Sequence, residues 1–264
     1  MSQAVLSITG LTKRFDNLVA VDHLDMCVES HQIFGLIGPN GSGKTTVFNL
    51  ISGVLRPDEG EVFLLGRQIT YSRPDVIAGL GMMRTFQRAW LMPQLSCLEN
   101  VMLGMHPKTR LDLLGTYLRL PGTSSQQEKR SRERAYELLE LVGLAASAAR
   151  PAGDLVWVEE QLIQIARALA GEPKVLLLDE PTAGMGRHES ERVGGIVREI
   201  NQRGVTVVLV AHDVGLIMSL CHHVVAINFG RKIAEGSPAS VRADARVAEA
   251  YLGVRTSCAG VDDA

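Results

Sequence analysis

Eight consecutive residues, Gly38-Pro39-Asn40-Gly41-Ser42-Gly43-Lys44-Thr45, match the P-loop pattern GxxxxGK[ST]. They lie between an apolar run, Ile33–Ile37, and an amphipathic one carrying Val47, Phe48, Leu50 and Ile51. Each residue type has a chemical reason to be there. Glycines let the backbone wrap its N–H groups around a phosphate, and a helix beginning beside it adds the positive end of its dipole. Lys44 reaches toward the β- and γ-phosphates of a nucleotide, and the Thr45 hydroxyl is offered to Mg2+. A glycine-rich turn with a surface lysine would look similar in isolation. The strand-then-helix context is what favours the phosphate cradle.

Further chemical groups stand at the ends of other apolar runs. Val175-Leu176-Leu177-Leu178-Asp179-Glu180 ends in two acids. Asp179 is positioned to hold Mg2+ through its water shell, and Glu180 to orient an attacking water and accept its proton. Solvated acids capping a strand are the plainer explanation, which the presence of the P-loop outweighs. Val205–Val210 leads into Ala211-His212-Asp213, at the strand end where open α/β sheets bind ligands. His212 could contact a γ-phosphate there, although a lone histidine is more often structural. The same caution applies to Gln87 in Arg84-Thr85-Phe86-Gln87.

These groups need a scaffold that gathers strand ends. Ile33–Ile37, Val175–Leu178, Val205–Val210 and Val224–Ile227 are apolar throughout, the pattern of strands covered on both faces, and predict a parallel sheet. Ala4–Ile8, Val19–Met26 and Glu61–Leu65 alternate, which predicts antiparallel strands with one wet face. Between Leu98 and Gly171 the period turns helical. Ser125-Gln126-Gln127-Glu128 has the form of a capping box, with Ala135, Leu138, Leu139 and Val142 following on one face before Gly143. A second helix, from about Glu159 to Ala170, would bury Leu162, Ile165, Ala166 and Leu169. His106–Ser125 reads as an insertion. The expected fold is α/β: a P-loop NTPase core with a parallel sheet, an N-terminal antiparallel β lobe (about 1–30 and 60–80) and a helical lobe (about 88–171). All of it lies in one domain, 1–253, followed by a mobile tail, 254–264.

Composition narrows the partners. The 264 residues, 46% of them hydrophobic, suffice for a buried core, and a formal net charge of −2 argues against nucleic acid as the main partner. Cys27, Cys97, Cys221 and Cys258 have neither CxxC spacing nor the density of a disulfide scaffold, and read as reduced cytosolic thiols. No run approaches the roughly 18 apolar residues of a membrane span, and the N-terminus lacks a signal-peptide layout. Membrane contact is therefore expected to go through a partner.

Taken in order, Gly38–Thr45, Gln87, Leu176–Thr182 and His212 resemble the motif set of ABC (ATP-binding cassette) ATPases, over nearly the whole chain. The resemblance implies a RecA-like core, ATP and Mg2+ as cofactors, and a set of roles. Glu180 would be the catalytic carboxylate and His212 the switch histidine. Gln87 would be the Q-loop glutamine near Mg2+ and the permease, and Lys44 the lysine on the transferring phosphate. Thr45, Gln87 and Asp179 would hold Mg2+, Asp179 through water. Phe15 would stack on adenine, with Ala20 and Thr46 adding nucleotide contacts, although Phe15 could also be a core aromatic of the antiparallel lobe. Leu11–Phe15, Leu98-Glu99-Asn100-Val101 and Ala250-Tyr251-Leu252-Gly253 are similar in particular to ATPase subunits of branched-chain amino-acid importers. That subfamily implies two ATPase subunits beneath two membrane permeases, with an external solute-binding protein, at the cytoplasmic face of the inner membrane.

One motif departs. Before Ile165-Ala166-Arg167-Ala168-Leu169 the family carries the signature Leu-Ser-Gly-Gly-Gln or Leu-Ser-Tyr-Gly-Gln, where this chain has Leu155-Val156-Trp157-Val158-Glu159. Val156 has no hydroxyl, Val158 adds a branched side chain where backbone should approach phosphate, and Glu159 and Glu160 would repel it. Gly186 also stands where the family usually has Asp or Asn. The expectation is a subunit whose own cradle is intact but which offers a partner a damaged signature, hence a heterodimer with unequal ATP sites. Two alternatives stay open. Backbone N–H groups alone could still serve the phosphate, or the chain could be a regulatory or structural subunit that binds ATP with little turnover. Trp90, Leu91, Met92 and Leu95, after Gln87, are either a permease contact or core of the helical lobe.

Overall fold

The computed structural model describes residues 4–105, 123–211 and 213–252. Of the expected insertion His106–Ser125, residues 106–122 lie outside the described residues, as do the switch candidate His212, Gly253 and the expected tail 254–264, while 123–125 belong to a helix. In the central sheet, β3 (Ile33–Ile37), β6 (Met82–Arg84), β7 (Val175–Asp179), β8 (Thr206–Val210) and β9 (His223–Asn228) run parallel. Antiparallel β10 (Arg231–Gly236) closes one edge, giving the order β10-β9-β3-β8-β7-β6. Alternate residues of these strands enter different cores. Phe34, Leu36, Leu177, Val208 and Val210 pack toward one side, and Ile37, Leu176, Leu178, Val207 and Leu209 toward the other. Burial on both faces is why the four apolar runs carry no polar alternation.

The first core is closed by α1 (Lys44–Ile51) and by an antiparallel sheet of β1 (Ala4–Phe15), β2 (Leu18–Glu29), β4 (Glu59–Leu64) and β5 (Arg67–Gln68), ordered β2-β1-β4-β5. β1 and β2 extend beyond the alternating segments Ala4–Ile8 and Val19–Met26. Their register slips between Ile8 and Leu11, where Gly10 has φ +58°, and again beside His23 at φ +47°. Such bulges break the alternation of faces while the ladder continues. Within 60–80, read as antiparallel, residues 74–79 instead form α2 (Pro74–Gly79), which leads into β6.

The second core lies under α3 (Cys97–Met102), α4 (Thr123–Leu141), α5 (Trp157–Ala170), α6 (Arg187–Gln202) and α7 (Val214–Leu220). Ala135, Leu138, Leu139 and Val142 are buried as their spacing requires, and Gly143 at φ +71° follows. The capping box placed on Ser125 is incorrect. α4 has already begun at Thr123, and a cap needs non-helical backbone. The capping box is found instead on α3, where the Ser96 hydroxyl accepts the Glu99 N–H (3.2 Å) and the Glu99 carboxylate accepts the Ser96 N–H (2.8 Å). α5 begins at Trp157, two residues before the expected start, with Leu162, Ile165, Ala166 and Leu169 buried. α8 (Pro238–Ala243) and α9 (Ala245–Leu252) are the last described elements and lie beside β10. Cys27, Cys97 and Cys221 are free thiols, and Cys258 lies outside the described residues. Among the described residues no helix is long and apolar enough to cross a membrane.

Candidate functional site

The P-loop runs from the carboxyl end of β3 into α1, pressed between β2 and β9. A Cβ on Gly38 would sit 2.2 Å from the Ile227 carbonyl oxygen, and one on Gly43 (φ +105°) 2.4 Å from that of Ala20, so both positions demand glycine. The Ser42 carbonyl accepts the Gly230 N–H at 2.9 Å. Lys44 is buried, its Nζ donating to the carbonyl oxygens of Gly38 (2.7 Å) and Pro39 (2.9 Å). Burial lowers its pKa, and the charges of Glu180 and Asp179 push the other way. The three groups therefore share one electrostatic site, and a desolvated ammonium resting on carbonyls gains by exchanging them for phosphate oxygens. Thr45 is exposed and Thr46 half-buried on the first turn of α1, with Asn40 and Gly41 exposed at the loop's crest.

Asp179 ends β7 and is almost fully buried. Its Oδ2 accepts from Arg84 Nη2 at 2.7 Å, and Arg84 Nη1 donates to Asn49 Oδ1 and Ser52 Oγ of α1, each at 2.8 Å. One guanidinium thus ties β6, β7 and α1 together behind the cradle. Asp179 Oδ1 and Ser42 Oγ are buried without a hydrogen-bond partner among the described residues. A buried carboxylate oxygen left over in this way fits a hard cation or the water on it, and a buried hydroxyl fits a phosphate. Glu180 follows in the left-handed region, φ +52°, a conformation costing roughly 1–2 kcal/mol in a residue with a Cβ. Its N–H is held by the Val210 carbonyl at 2.8 Å. Strain held at a strand end beside a buried carboxylate is characteristic of functional turns.

Gln87 is exposed, while the backbone that carries it is clamped to α5. Phe86 N–H donates to Gln164 Oε1 (2.7 Å), Gln164 Nε2 to Phe86 O (2.9 Å) and Gln161 Nε2 to Gln87 O (3.3 Å). Trp90, 70% exposed, is not core, and its carbonyl accepts from Arg167 at 2.5 Å. A cleft of about 350 Å³ opens here, lined by Met83, Arg84, Phe86, Gly104, Gln164 and Arg167. Phe15, 42% exposed at the tip of the β1–β2 hairpin, is not core either, and Lys13 Nζ lies 5.6 Å from its ring centroid. Asp213, next to His212, caps α7 by accepting the Leu216 N–H at 3.1 Å.

The signature segment has a different character. Leu155 is buried, Val158 packs on the core, and Val156 and Trp157 are exposed. Trp157 Nε1 donates to Ala183 O at 2.9 Å, joining the start of α5 to the loop after Glu180. Glu159 accepts the Val156 N–H at 3.1 Å and pairs with Arg150, whose Nη1 lies 3.2 Å from Oε1. Partial burial alone would raise its pKa, but Arg150 and the Val156 N–H outweigh that and hold it below the usual carboxylate range. Gly186 has no side chain to cap α6, and Glu189 reaches back to its N–H at 2.9 Å.

Residues 21–183, which include this loop and the buried Asp179, match the profile of the family described as ABC transporter. The chain belongs to that family. As an ABC ATPase it is similar to the high-affinity branched-chain amino acid transport ATP-binding protein BraF of Pseudomonas aeruginosa, at 36% identity over 96% of this chain and 99% of the relative. The corresponding LivG of Escherichia coli is 34% identical over the same shares. A solved ADP-bound cassette of an ABC transporter superposes with a TM-score of 0.83 at 29% identity, covering 96% of this chain and all of that one. A dimeric post-hydrolysis cassette bound to ADP and Pi gives 0.74 at 26% identity, covering 88% and 98%. Residues 231–256 match a second profile, branched-chain amino acid ATP-binding cassette transporter.

Three features of this ABC ATPase escaped sequence reasoning. Arg84 was visible as part of Arg84–Gln87, but nothing in one sequence pairs it with Asp179, 95 residues on. Gln161 and Gln164 are polar residues buried on a helix, a signal that a strict apolar-stripe reading of α5 passes over. Tyr251 was noted for resemblance alone.

Proposed function

We propose that this ABC ATPase powers uptake of branched-chain or related amino acids, at the cytoplasmic face of the inner membrane beneath two permease subunits fed by a solute-binding protein. The observation that carries the cargo class is the joint match to BraF, LivG and the branched-chain profile at 231–256. Lys44 leaves the carbonyls of Gly38 and Pro39 for the β- and γ-phosphates, joined by the N–H groups of Gly41 to Thr46, while Phe15 stacks on the base beside Ala20. Thr45, Gln87 and Asp179 hold Mg2+, Asp179 through water, and the buried Asp179 Oδ1 fits that task. Bound Mg2+ supplies neutralisation of the charge on the phosphates. Glu180 accepts the proton of the attacking water. His212, which follows β8 and Ala211 in the sequence, is given the γ-phosphate contact by resemblance alone. The exposed Trp90 and the cleft behind it receive the permease, next to the clamped Gln87 backbone that can report closure.

The partner is a second ATPase subunit with an intact signature, in an asymmetric pair. The signature of this chain offers exposed valine and tryptophan, and its helix end is occupied by Glu159. A subunit without turnover is the weaker reading, because Lys44, Asp179 and Glu180 form a complete site. Uptake of labelled leucine, isoleucine and valine in cells lacking the gene tests the cargo. Uptake should fall to background and return with the wild-type gene, and unchanged uptake of all three would overturn the cargo class.

A further inference from the structure

The last described helix touches the first residue of the phosphate cradle. The Tyr251 hydroxyl of α9 accepts the Gly38 N–H at 2.9 Å. The Gly38 carbonyl in turn accepts from Lys44 Nζ at 2.7 Å, so Gly38 is held through both of its backbone polar groups, one in each of two consecutive peptides. A Cβ built on Gly38 would stand 2.2 Å from the Ile227 carbonyl oxygen and 2.5 Å from Ser42 Oγ, so neighbouring groups pack closely on that side of it. The helix that delivers Tyr251 is anchored elsewhere, through buried Val247 on α9 and Val241 on α8. The two grips have different fates. Lys44 must let go of Gly38 to reach a phosphate, whereas the Tyr251 hydroxyl has no second hydrogen-bond partner among the described residues. Burial raises the tyrosine pKa, so the hydroxyl stays neutral across the physiological range.

We propose that Tyr251 is a positioning residue for nucleotide binding, which holds the entrance of the P-loop in place while Lys44 exchanges carbonyls for phosphate. The C-terminal segment matched by the branched-chain profile thereby tunes nucleotide affinity. A loop whose first peptide is loose must be reordered on binding, and that ordering is lost from the affinity. This inference rests on the reading of Gly38–Thr46 as the nucleotide cradle.

Tyr251→Phe keeps the ring and removes the acceptor. On the full chain, the Kd for Mg-ATP should rise about 3–10-fold, as for one neutral hydrogen bond. Hydrogen exchange at the Gly38 amide should accelerate while the amides of β3 and α9 stay protected. An unchanged Kd overturns the proposal, and so does a raised Kd with Gly38 still protected. A raised Kd with exchange spreading through β3 and α9 overturns it too, since Tyr251 would then be a docking residue. Failure of the wild-type chain to bind Mg-ATP would instead refute the cradle itself.

Discussion

Two helices of this chain begin at the motifs for which the family resemblance implies phosphate contacts, and they begin differently. α1 starts after Gly43 in a left-handed turn, with no acid in its first turn and a buried lysine at its first position. α5 starts after exposed Val156, with Glu159 and Glu160 in its first turn and Glu159 already bonded to the Val156 N–H. Both helix ends carry the same partial positive charge. The cradle leaves that charge for a ligand, whereas the signature spends it on its own carboxylate. Glu159, which the sequence reading expects to repel a phosphate beside it, is held in place by Arg150 and by the Val156 N–H.

The contrast can be broken from the cradle side first. In the assembled pair, Glu180→Gln should slow turnover about 10²–10⁴-fold with Mg-ATP affinity retained, checked by steady-state hydrolysis beside equilibrium binding. Unchanged turnover would remove Glu180 from the base role. Next in size, each region has an arginine–carboxylate pair, and the two differ in burial. Arg84 and Asp179 are 7% and 2% exposed, so Arg84→Ala strands a buried carboxylate and should cost about 3–5 kcal/mol in urea unfolding.

Arg150 and Glu159 are more open, 35% and 22% exposed, and solvent screens them. Arg150→Ala should move the urea midpoint much less than Arg84→Ala does. The pH dependence has a definite sign. Glu159 is held below its ordinary pKa, so its contribution is complete above the ordinary glutamate value and disappears as pH falls through the lowered one. Wild type and Arg150→Ala should therefore differ near neutral pH and converge in acid. A gap that widens in acid would contradict the pairing.

How much of this was legible differs between the same two regions. The cradle could be read from sequence because its chemistry is local: eight contiguous residues, a buried strand before and a helix after. The four apolar strands were legible for a similar reason, each declaring double burial by itself. β6 was not, since three residues, Met82–Arg84, carry no period. The long β1 and β2 were cut short by bulges that sequence alternation cannot cross. At the signature the substitutions were plain, but their consequence depended on Arg150, nine residues upstream across an irregular turn, and on Trp157 meeting Ala183. Exposure showed what spacing could not: Phe15 is a surface residue, and the segment after Gln87 is split, with Trp90 and Met92 exposed and Leu91 packed against the core.

The central claim is that this chain holds and hydrolyses ATP in its own cradle but cannot complete a partner's site. The most direct measurement is ATP hydrolysis by the purified homodimer, before and after Val156→Ser, Val158→Gly and Glu159→Gln are introduced together. The unmodified homodimer should be nearly inactive, and the triple variant should gain on the order of 10²-fold, the scale of one restored phosphate-stabilising donor. Brisk, cooperative hydrolysis by the unmodified homodimer would contradict the account, as would a folded, dimeric triple variant that gains nothing.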